Sequence, residues 1–275
     1  MHRPLPTRRA APRRFAALLC LAVASAALGG CKSTGDVTGS INPSATLPKD
    51  PAALHARVTE LGQRFEKSPS DPNAAMAYAA ALRAEERYPQ AVAVLQDSAA
   101  KNPNNLALIG AYGKALADAG RLKEAAAALE RAHTPDRPNW SVLSAQGSVA
   151  DQLGDHVRAQ QFYEAALKIS PGEPQVMSNL GLSYALSRDM PRAEATLRQA
   201  TRDPRAGPRV RQNLALVLAL AGKFSDAEAV ARQDLSPSDA AANIAEIRRT
   251  IVENDTWRKI QEGGRDPRNK RAGRG

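Results

Sequence analysis

Few residues of this chain have the types and spacing that chemistry on a substrate requires. Ser98 and Lys101 form an S-x-x-K pair, in which the lysine could activate the serine hydroxyl, but the S-D-N and K-T-G motifs that accompany this pair in enzymes are missing. The sequence also contains no glycine-rich phosphate loop, no H-E-x-x-H motif and no C-x-x-C pair. We therefore expect no enzyme activity, no catalytic residue, no metal site and no cofactor.

The histidines give no stronger indication of a reactive site. His55, His133 and His156 lie far apart in the repeat frame defined below, and none pairs with a plausible metal ligand or acid–base partner. We predict that all three are surface residues.

Cys31 is the residue with the clearest chemical role. It follows a basic stretch and an apolar run of fourteen residues, 15–28, which is too short to span a bilayer and is typical of an export signal. The sequence Leu28-Gly29-Gly30-Cys31 resembles the bacterial lipobox, in which the cysteine thiol receives diacylglycerol. The alternative is an ordinary cysteine behind an ordinary secretory signal, but the stretch before Cys31 ends in Leu28-Gly29-Gly30 rather than in the A-x-A-like site of such signals.

A lipidated Cys31 has consequences for thiol chemistry and for location. The other cysteine, Cys20, would leave with the signal, so the mature protein would have no free thiol, no disulfide and no cysteine nucleophile. Two or more acyl chains give stable membrane anchoring. Lys32 follows the cysteine, and the absence of Asp there resembles the outer-membrane sorting pattern of Gram-negative lipoproteins. We predict an outer-membrane protein that faces the periplasm and is exported by general secretion.

The net charge of +10 is confined to the two ends of the chain. Residues 1–30 contain five arginines and no acid, and residues 258–275 contain seven basic and two acidic residues. Residues 31–257 contain 26 basic and 26 acidic residues and therefore have no net charge. A neutral body attracts phosphate weakly at long range, so we expect no nucleic acid among the partners.

A period of 34 residues runs through the middle of the chain. The twentieth position is alanine in five consecutive units, and the eighth is always glycine or alanine. Leucine and tyrosine are common at the eleventh and twenty-fourth positions, and Gly120, Gly154 and Gly222 end the first half of three units. This spacing predicts two helices of about thirteen residues per unit, joined by a tight turn. The five units begin at residues 72, 106, 140, 174 and 208.

The positions of the small residues predict how such units pack. Small eighth and twentieth positions let two helices approach, and the eleventh and twenty-fourth positions are expected to fill the seam with the next unit. The pattern resembles the tetratricopeptide repeat family, including its G-x-x-Y run at Gly181 and its series Ala159, Tyr163 and Ala166. The resemblance implies an all-α solenoid of about five helix-turn-helix repeats, with capping helices at both ends.

Both ends of the repeat region carry segments that fit such caps. An amphipathic segment from Leu54 to Phe65 precedes the first unit, and Ser238 is placed to cap a final helix with one apolar face. That final helix either covers the last repeat or folds back into the binding groove, and covering is what a solenoid end requires. The predicted organisation is a lipoprotein signal peptide (1–30), a flexible tether (31–51), a leading capping helix (52–71), five repeats (72–241), a C-terminal capping helix (242–262) and a disordered basic tail (263–275).

The first helix of each unit is expected to line a concave, peptide-binding face. Lys114 matches one position of the carboxylate clamp of chaperone-tail-binding relatives, but Gly110 and Ala111 occupy neighbouring clamp positions. Asn179 and Asn213 could bond an extended peptide backbone or simply face solvent. The predicted groove residues are Met76, Arg83, Lys114, Ser144, Asp151, Gln175, Ser178, Asn179, Arg209, Gln212 and Asn213.

The signal, lipobox, tether and solenoid together resemble the TadD-like lipoproteins of the tight-adherence (Flp) pilus system. The resemblance implies an outer-membrane-anchored periplasmic scaffold that holds pilus or secretin components, with an extended or helical partner segment in its groove. The alternative is an accessory lipoprotein for other cell-envelope or outer-membrane protein assembly. Nucleic-acid binding through the tail would instead predict strongly salt-dependent binding that is lost when residues 263–275 are deleted.

Overall fold

The computed structural model describes residues 47–263, with side chains up to residue 253. Within that range the chain forms twelve α-helices and no strand, which confirms the predicted all-α fold. None of these helices is long and apolar enough to cross a membrane. The predicted signal peptide, Cys31, most of the tether and most of the basic tail lie outside the described residues.

Ten of the twelve helices form five pairs that repeat every 34 residues. The first helix of each pair is 13 residues long and begins at the unit start that the sequence predicts. The second helix varies in length from 8 to 14 residues. The pairs are α2 Pro72–Ala84 and α3 Tyr88–Lys101, α4 Leu106–Asp118 and α5 Leu122–Glu130, α6 Trp140–Gln152 and α7 His156–Ile169, α8 Pro174–Leu186 and α9 Met190–Ala200, and α10 Pro208–Leu220 and α11 Phe224–Ala231. They are flanked by α1 Pro51–Lys67 and α12 Pro237–Gly263.

Local signals fix where the first helices begin. The side chain of Asp71 accepts the backbone N–H of Asn73 at 2.9 Å, and that of Asn105 accepts the N–H of Leu108 at 3.1 Å. These caps satisfy donors that the first turn of a helix leaves without partners. Proline begins α2, α8 and α10, where its fixed φ suits the helix and its missing N–H costs nothing.

A residue with left-handed backbone conformation closes the turn in every pair. In the first and fourth pairs this residue is Glu86, with φ of 61°, or Arg188, with φ of 67°, which the glycine pattern did not predict. The following N–H reaches back to the first helix, as from Arg121 to the carbonyl of Leu116 at 2.9 Å. The other three pairs use the predicted glycines, Gly120, Gly154 and Gly222, with φ of 74°, 86° and 77°.

The small eighth position allows the two helices of a pair to make close contact. A Cβ atom added at Gly147 would lie 2.6 Å from the ring of Tyr163, which occupies the twenty-fourth position of the same unit. We expected the twenty-fourth position to fill the seam with the next unit, but its side chain packs on the first helix of its own unit. The reason is that glycine leaves a hollow on that helix, which a large side chain fills. Gly113 and Gly181 face Leu129 and Leu197 in the same way.

Successive pairs stack through their first helices. The helices α2, α4, α6, α8 and α10 contact one another in order, and each second helix packs on the first helix of the next pair. Each pair therefore buries apolar surface against its neighbours, which is how a solenoid builds one continuous core. We call the side formed by α2, α4, α6, α8 and α10 the first-helix surface.

Single helices cover both ends of this stack. α1 lies against α2 and buries Leu54, Val58 and Leu61. α12 packs against α10 and α11 and buries Ala240 and Ile244, with the Arg248 guanidinium 5.2 Å from the centre of the Phe224 ring. The final helix thus lies in the covering position rather than folded back into the groove.

The start of α12 differs from the predicted one. Ser236, rather than Ser238, caps the helix, because its Oγ accepts the N–H of Asp239 at 3.2 Å and its carbonyl oxygen accepts the N–H of Ala240 at 2.9 Å. Pro237 then occupies the first helical position, where proline is favoured.

Candidate protein-binding surface

All the predicted groove residues lie on the five first helices, but not all are accessible. The exposed fractions of Met76, Lys114 and Ser178 are 5%, 8% and 1%. The structure therefore places these three side chains inside the stack, where a ligand cannot reach them without displacing other groups. The reason is that these residues occupy the fifth or ninth position of their units, and these positions lie close to the first helix of the next unit.

Lys114 belongs to a charged cluster between the first three pairs. Its Nζ donates to Ser141 Oγ at 2.6 Å, and Arg83 Nε donates to Asp118 Oδ2 at 2.5 Å. Burial, followed by the nearby Arg83 charge, lowers the pKa of Lys114 to about 8. Lys114 makes no ion pair among the described side chains, so its charge is held by a neutral hydroxyl.

Asp151 is the centre of a second cluster, between the third and fourth pairs. Its carboxylate accepts hydrogen bonds from Ser183 Oγ at 2.8 Å and Tyr163 OH at 3.1 Å, and it contacts His156 Nδ1 at 2.9 Å. Burial raises the pKa of Asp151, and these hydrogen bonds partly oppose the rise. Because Ser183 donates to the carboxylate rather than to the imidazole, the three residues do not form an activated nucleophile.

Two asparagines link neighbouring first helices. Asn213 Nδ2 donates to Ser178 Oγ at 2.9 Å, and Asn179 Nδ2 donates to Ser144 Oγ at 3.4 Å, so the same contact recurs one unit apart. Each amide keeps a second N–H and an oxygen that make no hydrogen bond to other described residues. This second N–H and the amide oxygen are therefore available for hydrogen bonds to a ligand.

The remaining predicted residues lie on the last two first helices. Gln175 and Gln212 are half-buried and Arg209 is exposed, and none of the three has a side-chain hydrogen bond to another described residue. Together with Asn179 and Asn213 they form a polar strip on α8 and α10. Their assignment to a binding surface stays a prediction.

Two of the three histidines, His133 and His156, are half-buried rather than the surface residues that we predicted, and the prediction that none pairs with an acid–base partner is wrong for His156 and His55. His133 Nε2 lies 3.2 Å from Gln146 Oε1, whereas its Nδ1 is buried without a hydrogen-bond partner among the described residues, and His156 Nδ1 lies 2.9 Å from Asp151. His55 is exposed and contacts Glu85 at 3.0 Å.

The described residues show no arrangement suited to metal binding or to S-x-x-K chemistry. They contain no group of three or more His, Cys, Asp or Glu residues that could hold a metal ion. The Ser98 side chain is fully buried without a hydrogen-bond partner, and Lys101 pairs with Asp97 at 2.7 Å.

Sequence reasoning missed the partners that hold the two clusters together. Asp118, Ser141 and Ser183 lie at the thirteenth, second and tenth positions of their units and bond to the preceding unit. The available signal was a polar residue on a first helix that is otherwise apolar, directly after a unit with a charged ninth or twelfth position.

Comparison with known proteins shows which fold this arrangement represents. A family model described as tetratricopeptide repeat matches residues 82–146 and 152–216. A search of curated protein sequences found no match.

Three solved structures illustrate the similarity. A chain of the APC/C hetero-tetramer Cut9–Hcn1 has a TM-score of 0.59 at 16% identity, over 74% of this chain but 42% of that one. A thermophilic protein of Thermus thermophilus has a TM-score of 0.55 at 19% identity, over 61% and 91%. The Pseudomonas aeruginosa pilF protein has a TM-score of 0.50 at 18% identity, over 77% and 90%. At such identities the likeness establishes the fold alone.

Proposed function

Because the chain is a solenoid of tetratricopeptide repeats, which serve as protein-interaction scaffolds, we propose that its first-helix surface holds an extended segment of a partner protein. The observation that carries this proposal is the recurring asparagine contact on α8 and α10. Each serine fixes the orientation of an amide whose other N–H and oxygen remain free. An extended peptide has N–H and C=O groups without partners, and an oriented amide can pair with both kinds.

The polar strip favours a peptide ligand over a small metabolite. Gln175, Gln212 and Arg209 add donors and acceptors on the same two helices as the asparagines. Small-molecule sites are mostly apolar and enclosed, whereas this strip is polar and open. Two pairs of its members, Gln175 with Arg209 and Asn179 with Asn213, are spaced by one whole repeat, which suits a ligand that is itself an extended chain.

We further propose that the protein is anchored to the outer membrane through acyl chains on Cys31 and supports assembly of a tight-adherence pilus or its secretin. The lipobox resemblance, the tether and the resemblance to TadD-like lipoproteins support this role. The second candidate is an accessory role in other cell-envelope assembly, which the same anchor and scaffold would serve.

A complementation experiment tests the proposal. A strain that lacks the protein would receive the wild-type chain, a double variant Asn179→Ala and Asn213→Ala, or a control variant Lys168→Ala, whose side chain is exposed on α7. We expect the double variant to lose most surface pili and secretin multimers at normal protein level, and the control to restore both. Pili that form normally with the double variant would refute the surface assignment. Pili that form normally without the protein would favour the second candidate.

A further inference from the structure

Two adjoining cavities lie along the second helix α9. The first has a volume of about 510 Å³ and lies between the N-terminal half of α9 and the turn from α10 to α11. The second has a volume of about 270 Å³ and lies between the end of α9, α10 and the end of α11. Arg198 lines both cavities, so we treat them as one feature, the α9 groove. None of the predicted first-helix residues lines it.

The α9 groove has one positive charge in excess, because its four basic side chains are opposed by Glu194 and by Asp226 and Asp234, which pair with two of its arginines. Its lining contains a single carboxylate, that of Glu194, which accepts hydrogen bonds from Lys223 at 2.8 Å and Arg198 at 3.0 Å. Those two hydrogen bonds lower the pKa of Glu194 and keep it ionised and paired. The basic side chains of the lining are Arg198, Arg202, Arg211 and Lys223.

Three arginines of the groove differ in how firmly they are held. Arg211 donates to Asp234 at 2.7 Å and to a backbone carbonyl at 2.8 Å, and Arg198 reaches Asp226 on α11 at 3.3 Å. The Arg202 side chain makes no ion pair or hydrogen bond with the described residues and is exposed. Arg202 is therefore a free guanidinium beside two fixed ones, and its planar fork matches a carboxylate.

The first cavity adds an apolar region to this basic one. Met190, Pro191, Ala195 and Ala221 line it next to Arg198. Its volume lies in the range of roughly 300–1,000 Å³ that is usual for binding sites. A ligand with an apolar side chain beside a carboxylate would satisfy both parts of the groove.

We propose that the α9 groove is a second protein-binding site that takes an acidic peptide segment of a partner protein. An apolar side chain of the segment enters the first cavity, and a neighbouring carboxylate binds Arg202. The reason for choosing an occupant with a carboxylate is Arg202, because the other three basic groups already pair with Glu194, Asp226 or Asp234. This site would allow the protein to hold two partners at once.

Fluorescence anisotropy with labelled peptides tests the proposal on the purified full-length chain. The probes are a peptide of alternating leucine and glutamate and its counterpart with glutamine in place of glutamate. We expect the glutamate peptide to bind about tenfold more tightly than the glutamine peptide, and Arg202→Glu to weaken its binding by about tenfold. The matched control is Lys168→Glu, an equally exposed cation on α7, which should leave binding unchanged.

A second variant and a position readout keep the test decisive. Gln233→Glu adds a negative charge to the exposed wall of the second cavity and should weaken binding of the glutamate peptide in the same way. A photocrosslinker at Ala195 should capture that peptide, whereas one at Gln212 should not. The proposal would be overturned if both peptides bind equally or if Arg202→Glu and Gln233→Glu bind the glutamate peptide as tightly as the wild-type chain. It would also be overturned if only the crosslinker at Gln212 captures that peptide. None of these outcomes affects the role of the first-helix surface.

Discussion

At the scale of single residues, hydrogen-bond partners decide whether a buried polar group stabilises the stack. Ser98 and Ser183 are both fully buried serines, yet the Ser98 hydroxyl has no partner and the Ser183 hydroxyl bonds Asp151 at 2.8 Å. A buried hydroxyl without a hydrogen-bond partner destabilises the folded state, whereas a hydrogen bond from a hydroxyl to a carboxylate stabilises it. The two serines should therefore respond in opposite ways to the same substitution.

We predict that Ser98→Ala raises the free energy of unfolding by about 1 kcal/mol, because it removes the unpaired hydroxyl. Alanine already occupies the equivalent position at Ala132, Ala166 and Ala200. Ser183→Ala should lower the free energy of unfolding by about 2 kcal/mol, because Asp151 loses a donor. Urea denaturation followed by circular dichroism measures both, and a loss of stability in Ser98→Ala would contradict the first prediction.

Lys114 gives a prediction for the effect of pH on stability. Its pKa of about 8 in the folded state lies below the usual lysine value, so between the two values the unfolded chain binds more protons. Stability should therefore increase as pH rises from about 8 to about 10.4, by up to about 3 kcal/mol. Other groups also titrate in that pH window. The measurement is therefore the difference in the free energy of unfolding between the wild-type chain and Lys114→Met, which lacks this titrating group. An unchanged difference across the window would show that Lys114 titrates normally.

At the scale of helices, the alternation of small and large residues sets the distance within a pair. Repeat positions that carry glycine face leucine or tyrosine, whereas the fifth pair uses alanine at both places, Ala215 and Ala231. The first pair combines Ala79 with Leu95, so the volume that the two positions share differs from pair to pair. A change at one position should be compensated by an opposite change at the other.

We predict that Gly181→Ala lowers the free energy of unfolding by about 1–3 kcal/mol, because its Cβ would lie 2.6 Å from Leu197. Leu197→Ala alone costs about 2–5 kcal/mol through the cavity that it leaves. In that background Gly181→Ala should cost little, since the clash is gone. A double-mutant cycle measures the coupling, and strictly additive effects would contradict the packing assignment.

The caps show how the stack ends. In the repeat frame α1 corresponds to a second helix and α12 to a first helix, but Arg57 takes the place of the twentieth-position alanine and Arg249 that of the small eighth position. A long charged side chain at either place prevents a partner helix from packing as in the repeats. Polar outer faces of this kind are what solenoid ends need for solubility.

The sequence predicted the starts of all five first helices, because alanine, glycine and proline recur at fixed spacing. It did not predict the turns at Glu86 and Arg188, since a residue without glycine's freedom gives no signal of positive φ. It also did not predict the early end of α5 at Glu130, because Pro135 lies too far beyond that residue to end the helix there. The contacts of Lys114 and Asp151 depend on which turns of successive first helices face each other, and a period alone does not specify that.

At the scale of the whole molecule, the excess of basic residues and the predicted lipid-attachment site lie outside the repeats. The basic residues in excess lie at the two ends, and the body between them is neutral. We predict that anchoring depends on Cys31, which lies outside the described residues.

We predict that Cys31→Ser moves the protein from the membrane fraction to the soluble fraction without changing the fold. The acyl chains are lost while the repeats, which begin at Pro72, stay intact. Membrane fractionation shows the location, and circular dichroism of the purified variant should show unchanged helix content. Membrane association that persists in Cys31→Ser would show that another segment provides the anchor.

The most direct test of the protein-binding role is site-specific photocrosslinking in intact cells. A crosslinker at Gln212 on the first-helix surface should yield one discrete adduct, identified by mass spectrometry as a pilus or secretin component. A crosslinker at Lys168 on α7 should not yield that adduct. If Gln212 yields no adduct in piliated cells, or the same adducts as Lys168, the first-helix surface does not hold a partner protein.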